Sequence, residues 1–267
     1  MYLSFFNEME LQMTNHNRQE QILQLLNAKG ELQVSELASL FNVNPITIRR
    51  DLDILESTGK LTRSRGKAIL NQSDIMHEKP FDSRIKTNAE QKIKIARLAH
   101  SFIRQGEHIF VGSGSTLYYF SKTIDNSKRL WIITDAINSA AELSSRNNVS
   151  VFVIGGELTN HTLTTTGSYA ESMIQDLQFD TAYISSTSID CNGFFYHRSF
   201  AEHSIYKHLP QQSKQLVLLA DSSKLGQKSF VKVGQLRAGD ILITDNGISP
   251  QQIKKYEDLG ISVKIAE

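Results

Sequence analysis

The chain has 267 residues, 40% of them hydrophobic and 21% charged, which is enough apolar matter for two domains, or one large α/β domain, at about 100–200 residues per domain. With 15 Gly and 4 Pro it is neither collagen-like nor broadly disordered. The 29 basic and 28 acidic residues leave a formal charge of +1, so a globally basic nucleic-acid binder is not indicated, while a locally basic patch stays possible. The one cysteine, Cys191, cannot form an intrachain disulfide, and a reducing cytoplasm is the expected compartment.

Met1 to Phe6 is apolar, but no basic residue precedes it and Glu8 and Glu10 soon interrupt it. That suits neither a signal peptide nor a membrane span, and residues 1–16 read as a flexible leader. A first helix is expected from Asn17, which can cap it, with Glu20 at the capping-box position and Gly30 just past its end. Ile22, Leu25 and Leu26 form its apolar stripe. A second helix is expected from Ser35 to Phe41, with Leu37, Leu40 and Phe41 inward. After a sharp turn at Asn42-Val43, Asn44 caps a third helix with Pro45 at its first position, where a missing N–H costs nothing.

In that third helix Ile48, Leu52 and Leu55 recur at i, i+4 and i+7 and mark the buried face. Thr47, Arg49 and Arg50 lie away from this stripe, Arg50 nearly opposite. Two short strands follow, Leu61-Thr62-Arg63 and Ala68-Ile69-Leu70, joined by Ser64 to Lys67. Lys60, Arg63, Arg65 and Lys67 stand in this hairpin with no acid between them. Three helices and a basic hairpin describe a winged helix-turn-helix over residues 17–71, with the helix-turn-helix at about 34–53. Its partner is double-stranded DNA, contacted by Asn44, Thr47, Arg49 and Arg50 from the helix and by the four hairpin cations.

This run, from Val34 to Ala68, resembles the DeoR family of bacterial transcriptional regulators. The most specific piece is TIRRDL, Thr47 to Leu52, followed by Leu55-Glu56, Gly59 and Arg63.

Residues 72–88 are polar, include Pro80 and show no clear period, so they read as a linker. From residue 89 to 267 the pattern changes. Near-continuous apolar runs at 109–112, 131–134, 149–156, 181–186, 215–221, 240–245 and 261–266 suit strands buried on both faces. Helical segments such as Glu90–Ile103, Thr116–Ile124 and Gln251–Gly260 lie between most of them. The alternation implies a Rossmann-like, mostly parallel α/β domain whose ligand sits beyond the carboxyl ends of the strands. There the first run enters Gly112-Ser113-Gly114-Ser115-Thr116 and opens a helix, an arrangement whose amides and hydroxyls can cradle a phosphate.

This part also resembles the DeoR-family sensor, through NAEQKIKIA (88–96), GSGST, the Gly155-Gly156 pair, Phe179-Asp180, Gly193 with Glu202 beyond it, ADSSKLG (220–226) and LITD. The resemblance implies a fold related to sugar-phosphate isomerases and a phosphorylated sugar as effector. It implies that Ser113, Gly114, Ser115 and Thr116 bind the phosphate and that Lys224 supplies a positive charge. Asp135, Asp180 and Glu202 would face sugar hydroxyls or order the pocket, with Gly155 and Gly156 also in the site.

The function this describes is a homo-oligomeric, non-membrane regulator, a repressor of a carbohydrate-utilisation operon, without catalytic residues or cofactor. No metal is expected, since the eight histidines show no ligand spacing. An isomerase with a DNA-binding appendage is the alternative, with Glu202, Asp135 and Lys224 for acid–base work. A DNA-compacting protein is disfavoured by the net charge.

Overall fold

The computed structural model describes residues 18–19, 21–23, 25–26, 31–57, 61–64, 66–70 and 80–267, with the side chains of Ser64, Ile69, Leu70, Ala201 and Glu202 outside the description. The expected leader and the caps at Asn17, Glu20 and Gly30 therefore lie outside the described residues. The chain forms two compact units, Met1–His77 and Glu78–Glu267.

In the first unit the helical residues 18–19, 21–23 and 25–26 (α1) precede β1 (Glu31–Gln33), α2 (Val34–Leu40), α3 (Pro45–Ser57), β2 (Leu61–Ser64) and β3 (Lys67–Leu70). The three strands form an antiparallel sheet in the order β1-β3-β2. β1 adds a strand that three residues are too short to signal. Ile22, Leu26, Leu37, Ile48, Leu52, Leu55, Leu61 and Ala68 make one small core, each large apolar side chain worth roughly 1.5–3 kcal/mol when buried. The expected inward Leu40 is instead 64% exposed. The buried stripe of α2 is Val34, Leu37 and Ala38, continued by Phe41, which is i, i+3, i+4, i+7, and Leu40 falls off it. Asn42 makes the turn at φ 52°, a left-handed conformation that Asn tolerates.

The second unit starts earlier than the expected boundary at residue 89. Phe81–Lys86 is a helix (α4), and it packs on its own unit. The Phe81 N–H donates to the His161 carbonyl at 3.0 Å, the Phe81 ring meets Tyr118 edge-on, and the Tyr119 hydroxyl donates to the Ile85 carbonyl. Phe81 and Ile85, four residues apart, anchor a stretch whose composition otherwise reads as linker.

The strands β4 (His108–Val111), β5 (Leu130–Thr134), β6 (Val149–Val153), β9 (Phe179–Ile184), β12 (Ser213–Leu219), β14 (Ile241–Asp245) and β15 (Ser262–Ala266) form one seven-stranded sheet in the order β15-β14-β12-β9-β4-β5-β6. Every neighbouring pair in it is parallel. All seven expected runs are thus strands of the one sheet. Those at the edges are not buried on both faces: Phe152 of β6 is 54% exposed and Ile265 of β15 40%. Helices α5 (Ala89–His100), α6 (Ser115–Thr123), α7 (Ile137–Leu143), α8 (Ser168–Gln175), α9 (Phe200–Tyr206), α10 (Leu209–Gln212) and α11 (Pro250–Asp258) complete the unit.

Successive residues of β4 point to opposite faces. Phe110 joins one core with Ile184, Tyr206 and Leu218, while Ile109 and Val111 join the other with Leu117, Phe120 and Tyr183. Two antiparallel additions were not legible in the apolar runs, namely a hairpin of β7 (Glu157–Thr159) with β8 (Thr164–Thr166), and a sheet of β10 (Ser188–Ile189), β11 (Phe194–His197) and β13 (Val231–Gln235). No helix among the described residues is long and apolar enough to cross a membrane.

From β4 the chain steps outward to β5 and β6, then returns to the other flank of β4 with β9 and continues to β15. The order reverses between β4 and β9, and the loops leaving those two strands border the crevice where such sheets bind ligands.

Candidate functional site

In the first unit the α3 terminus follows its sequence. The Asn44 side-chain oxygen accepts the Ile46 N–H at 2.9 Å, and Ile48, Leu52 and Leu55 are buried. Arg49 and Arg50 are exposed and Thr47 is half-buried. The hairpin cations are less free than their spacing suggests. Arg63 pairs with Asp53, and its N–H donates to Glu56; Lys67 Nζ lies 2.7 Å from Glu31. The acids come from α3 and β1, so the run from 60 to 67 does not reveal them. Lys60 and Arg65 lie outside the described residues.

Asp51, which the sequence reading passed over, is buried on α3 and takes hydrogen bonds from Arg18 Nε at 2.6 Å and Gln19 Nε2 at 3.2 Å. A carboxylate beside Leu52, three residues after Ile48, is a charged residue inside an apolar stripe, and that was its signal. Removing one partner of a buried pair leaves an uncompensated charge, so Asp51 holds α3 against α1.

In the second unit a cavity of about 340 Å³ opens at the carboxyl ends of β4 and β9. Ser113 to Ser115 line it after β4, and Ser185 to Ser188 after β9. Gly112 precedes the first loop because a Cβ there would sit 2.3 Å from the Tyr206 hydroxyl oxygen. That hydroxyl accepts the Ser113 N–H at 2.6 Å and so fixes the start of the loop. Gly114 turns the chain at φ 125°, in the region open to glycine, and leads into α6, whose positive end faces the loop.

Lys92 of α5 contributes a cation to the crevice. It is 4% exposed, on the same helical face as Ile95, Ala96 and Ala99. Its Nζ donates to the Arg84 and Thr87 carbonyls, each at 2.6 Å. Burial, with the nearby charges of Lys224 and Arg84, pushes its pKa down to about 8 against the opposing pull of Asp221. Lys224 Nζ donates to the Ser186 carbonyl at 2.8 Å. Asn88, at φ 52°, donates to Asp221 Oδ1 at 3.1 Å and to Ser223 Oγ at 3.4 Å. Beneath this turn Asp245 accepts the Ser222 and Gly247 N–H groups. Burial works against its ionisation, but these hydrogen bonds outweigh it and hold the carboxyl below its ordinary range.

Of the residues expected at the site, Ser113, Gly114, Ser115 and Lys224 line the crevice. Thr116 is buried one step into α6 and is not in the lining. Asp135 is fully buried after β5, its carbonyl accepting the Thr165 N–H at 2.8 Å, and it too is outside the lining. Gly155 and Gly156 are also outside the lining, and Gly156 is required by the backbone: a Cβ there would meet the Thr166 carbonyl oxygen at 2.4 Å. Asp180 corrects an expectation. It stands near the start of β9, at the opposite end of the strand from the crevice, where it pairs with Lys214 at 2.7 Å and accepts the His108 N–H at 2.9 Å. Hydrogen bonds from those two partners hold its carboxyl below the usual range. Glu202 lies on α9 with its side chain outside the description.

The reading missed Arg84, Asn88, Lys92, Arg198 and Lys228, all of which line the crevice. Lys92 had a signal, a lysine within a buried stripe. Arg84 and Asn88 fell in the supposed linker, and Arg198 and Lys228 flank strands of the unforeseen antiparallel sheet. Among the described residues no group of three or more His, Cys, Asp or Glu could hold a metal ion.

A winged helix-turn-helix followed on the chain by a parallel α/β unit with a cation-lined crevice defines a DNA-binding regulator with a small-molecule sensor. Family models agree on both parts, a DeoR-like helix-turn-helix domain over residues 18–74 and a DeoR C-terminal sensor domain over 87–246. The chain is 34% identical over 251 residues to the HTH-type transcriptional regulator YulB of Bacillus subtilis, covering 92% of this chain and 95% of the relative. It is 31% identical to the regulator GolR of Listeria innocua (94% and 98% covered) and 30% identical to the lactose phosphotransferase system repressor of Lactococcus lactis (91% and 96%). Among solved structures, ribose 5-phosphate isomerase A of Methanocaldococcus jannaschii matches with a TM-score of 0.40 at 17% identity, over 52% of this chain and 55% of that one. The chain belongs to the DeoR family of transcriptional regulators, and these relatives carry the names of regulators and repressors, not of enzymes.

Proposed function

We propose that the protein is a repressor of a carbohydrate-utilisation operon whose operator affinity is set by a phosphorylated sugar held in the crevice. One observation carries this reading: the Ser113–Ser115 loop, opening a helix at the switch point of the sheet, shares its cavity with Lys92 and Lys224. A phosphate there meets helix-end amides, hydroxyls and ammonium groups together. Asn88 and Asp221 offer the donor and acceptor that sugar hydroxyls need. A relative named as a lactose phosphotransferase system repressor supports the substrate class.

Regulation requires the sugar phosphate to bind the DNA-competent and DNA-incompetent states unequally. Arg84, Thr87 and Asn88 line the crevice and lie on the segment that the chain enters directly from the DNA-binding unit, which makes 80–88 the connecting element. Two copies per operator follow from the short half-site that one winged helix reads, and the protein works in the cytoplasm beside its DNA.

The test is a thermal-shift panel of sugar phosphates, each beside its unphosphorylated sugar. A ligand at 100 times its Kd stabilises by about 2.7 kcal/mol. At least one phosphorylated member raises the midpoint and moves operator affinity while its free sugar does neither. A free sugar acting as well as its phosphate overturns the reading.

A further inference from the structure

The crevice holds more positive charge than one phosphate neutralises. Among the described residues five Arg and Lys side chains line it, against one carboxylate, Asp221. A phosphate monoester carries about −1.5 to −2 at neutral pH, which leaves cations over.

These cations stand in two groups on different elements. Lys224, Arg84 and Asp221 are all within electrostatic reach of Lys92. This group adjoins the phosphate loop through Ser185, whose Cβ would lie 3.7 Å from a Cβ at Gly114, and through Ser186, whose carbonyl holds Lys224. The second group comes from the small antiparallel sheet. Arg198 follows β11, Lys228 precedes β13, and the pairing of His197 with Val231 puts them at the same end of that sheet. The ring contact of Phe200 with Phe230, at 5.5 Å, closes the same end.

Between the groups runs the segment Ser186 to Ser188. Ser188 pairs with Tyr196 in β11 and so reaches the second group, as Ser186 reaches the first. The hydroxyls of Ser186 and Ser188 are buried, line the cavity and have no hydrogen-bond partner among the described residues. A buried hydroxyl without a partner is costly, and both are placed to meet a ligand that spans the two groups.

We propose that the crevice takes a sugar with two anionic groups, one at Ser113–Ser115 with Lys224 and the other at Arg198 with Lys228. A sugar bisphosphate and a phosphorylated sugar acid share this chemistry. The proposal rests on the reading above of the crevice as a phosphate site.

Calorimetric titration with inorganic phosphate tests it without regard to sugar stereochemistry. The wild-type chain binds two ions, and Arg198→Gln/Lys228→Gln and Ser115→Asp each bind one, with unchanged far-ultraviolet circular dichroism showing that the variants fold. One ion in the wild type, lost with Ser115→Asp and kept in the double variant, overturns the second subsite and leaves the first reading standing. No ion at all, or ions indifferent to Ser115→Asp, overturns the first reading as well. A second titration compares fructose 6-phosphate, fructose 1,6-bisphosphate and 6-phosphogluconate. The two doubly anionic sugars bind at least about tenfold tighter than the monophosphate, as a charged hydrogen-bonded contact warrants, and Arg198→Gln/Lys228→Gln erases the advantage. Preference for the bisphosphate alone assigns a phosphate to the second subsite, and preference for the sugar acid alone a carboxylate. Equal affinities for all three, or an advantage that survives the double variant, contradict the proposal.

Discussion

Both units are equipped to meet phosphate, and they hold their cations in opposite ways. On the reading unit Arg49 and Arg50 are exposed, and Arg63 and Lys67 rest against Asp53 and Glu31 at its surface. In the sensor Lys92 is buried, and among the described residues its crevice gathers five cations around one acid. Exposed charges are screened by salt, whereas buried ones respond through desolvation and shifted proton equilibria. On the proposed function, the contrast puts the two partners under separate controls, DNA by ionic strength and the phosphorylated effector by pH.

The largest expected effect breaks the sensor side alone. Ser115→Asp places a carboxylate in the proposed phosphate site and is expected to abolish the effector-induced thermal shift. The same midpoint shift at the same ligand concentration would put the phosphate elsewhere. Next comes the reading helix. Arg50→Ala weakens operator binding by roughly 1–3 kcal/mol, and Arg49→Ala by less, because both side chains are exposed and Arg50 stands nearly opposite the buried stripe. A gel-shift titration at fixed salt checks it, and an unchanged midpoint refutes it.

The pH control follows from Lys92, whose pKa in the fold is lowered to about 8 from 10.5. Below pH 8 it is charged in both folded and unfolded chains, and the burial cost is present in full. Between pH 8 and 10.5 the unfolded chain binds the extra proton, so this group makes stability rise with pH across that window. An anionic effector favours the charged form, so effector affinity falls as pH rises through 8. Lys92→Gln removes that slope, and calorimetry from pH 7 to 9 that shows the same slope in the variant would assign it to another group. The smallest effect is Lys67→Gln. It weakens all DNA sequences alike and lowers the slope of log affinity against log salt by at most about 1, because Lys67 already faces Glu31. A sequence-selective loss would show that Lys67 reads bases.

How much was legible follows the same division. The reading unit was nearly plain in the sequence, since a cap at Asn44, a stripe of Ile48, Leu52 and Leu55, and a hairpin are local patterns. Its ion pairs were not, because Glu31 and Asp53 are distant in sequence from Lys67 and Arg63. In the sensor the seven strands and the GSGS loop were legible from apolar runs and a glycine-rich turn. The rest of the crevice was not. Arg84 and Asn88 sit in a polar stretch held by Phe81 and Ile85, and Lys228 precedes β13, whose alternating Val231-Lys232-Val233 is not the continuous apolar run that marks the main strands, while Arg198 follows β11, its antiparallel partner. Asp180 was misplaced because position along a strand decides which end of the sheet a residue serves, and Phe179-Asp180 opens β9 where the crevice lies past its end.

The central claim is that the crevice and the operator are coupled, and linkage tests it directly. If the sugar phosphate changes operator affinity by some factor, operator must change sugar-phosphate affinity by the same factor. The measurement is a calorimetric titration of the effector identified by thermal shift into the protein with and without a saturating operator duplex, at one salt concentration and pH. The account predicts two dissociation constants whose ratio equals the ratio of operator affinities measured with and without effector. Equal effector affinities in the two titrations would contradict it and leave the crevice a binding site without a regulatory role.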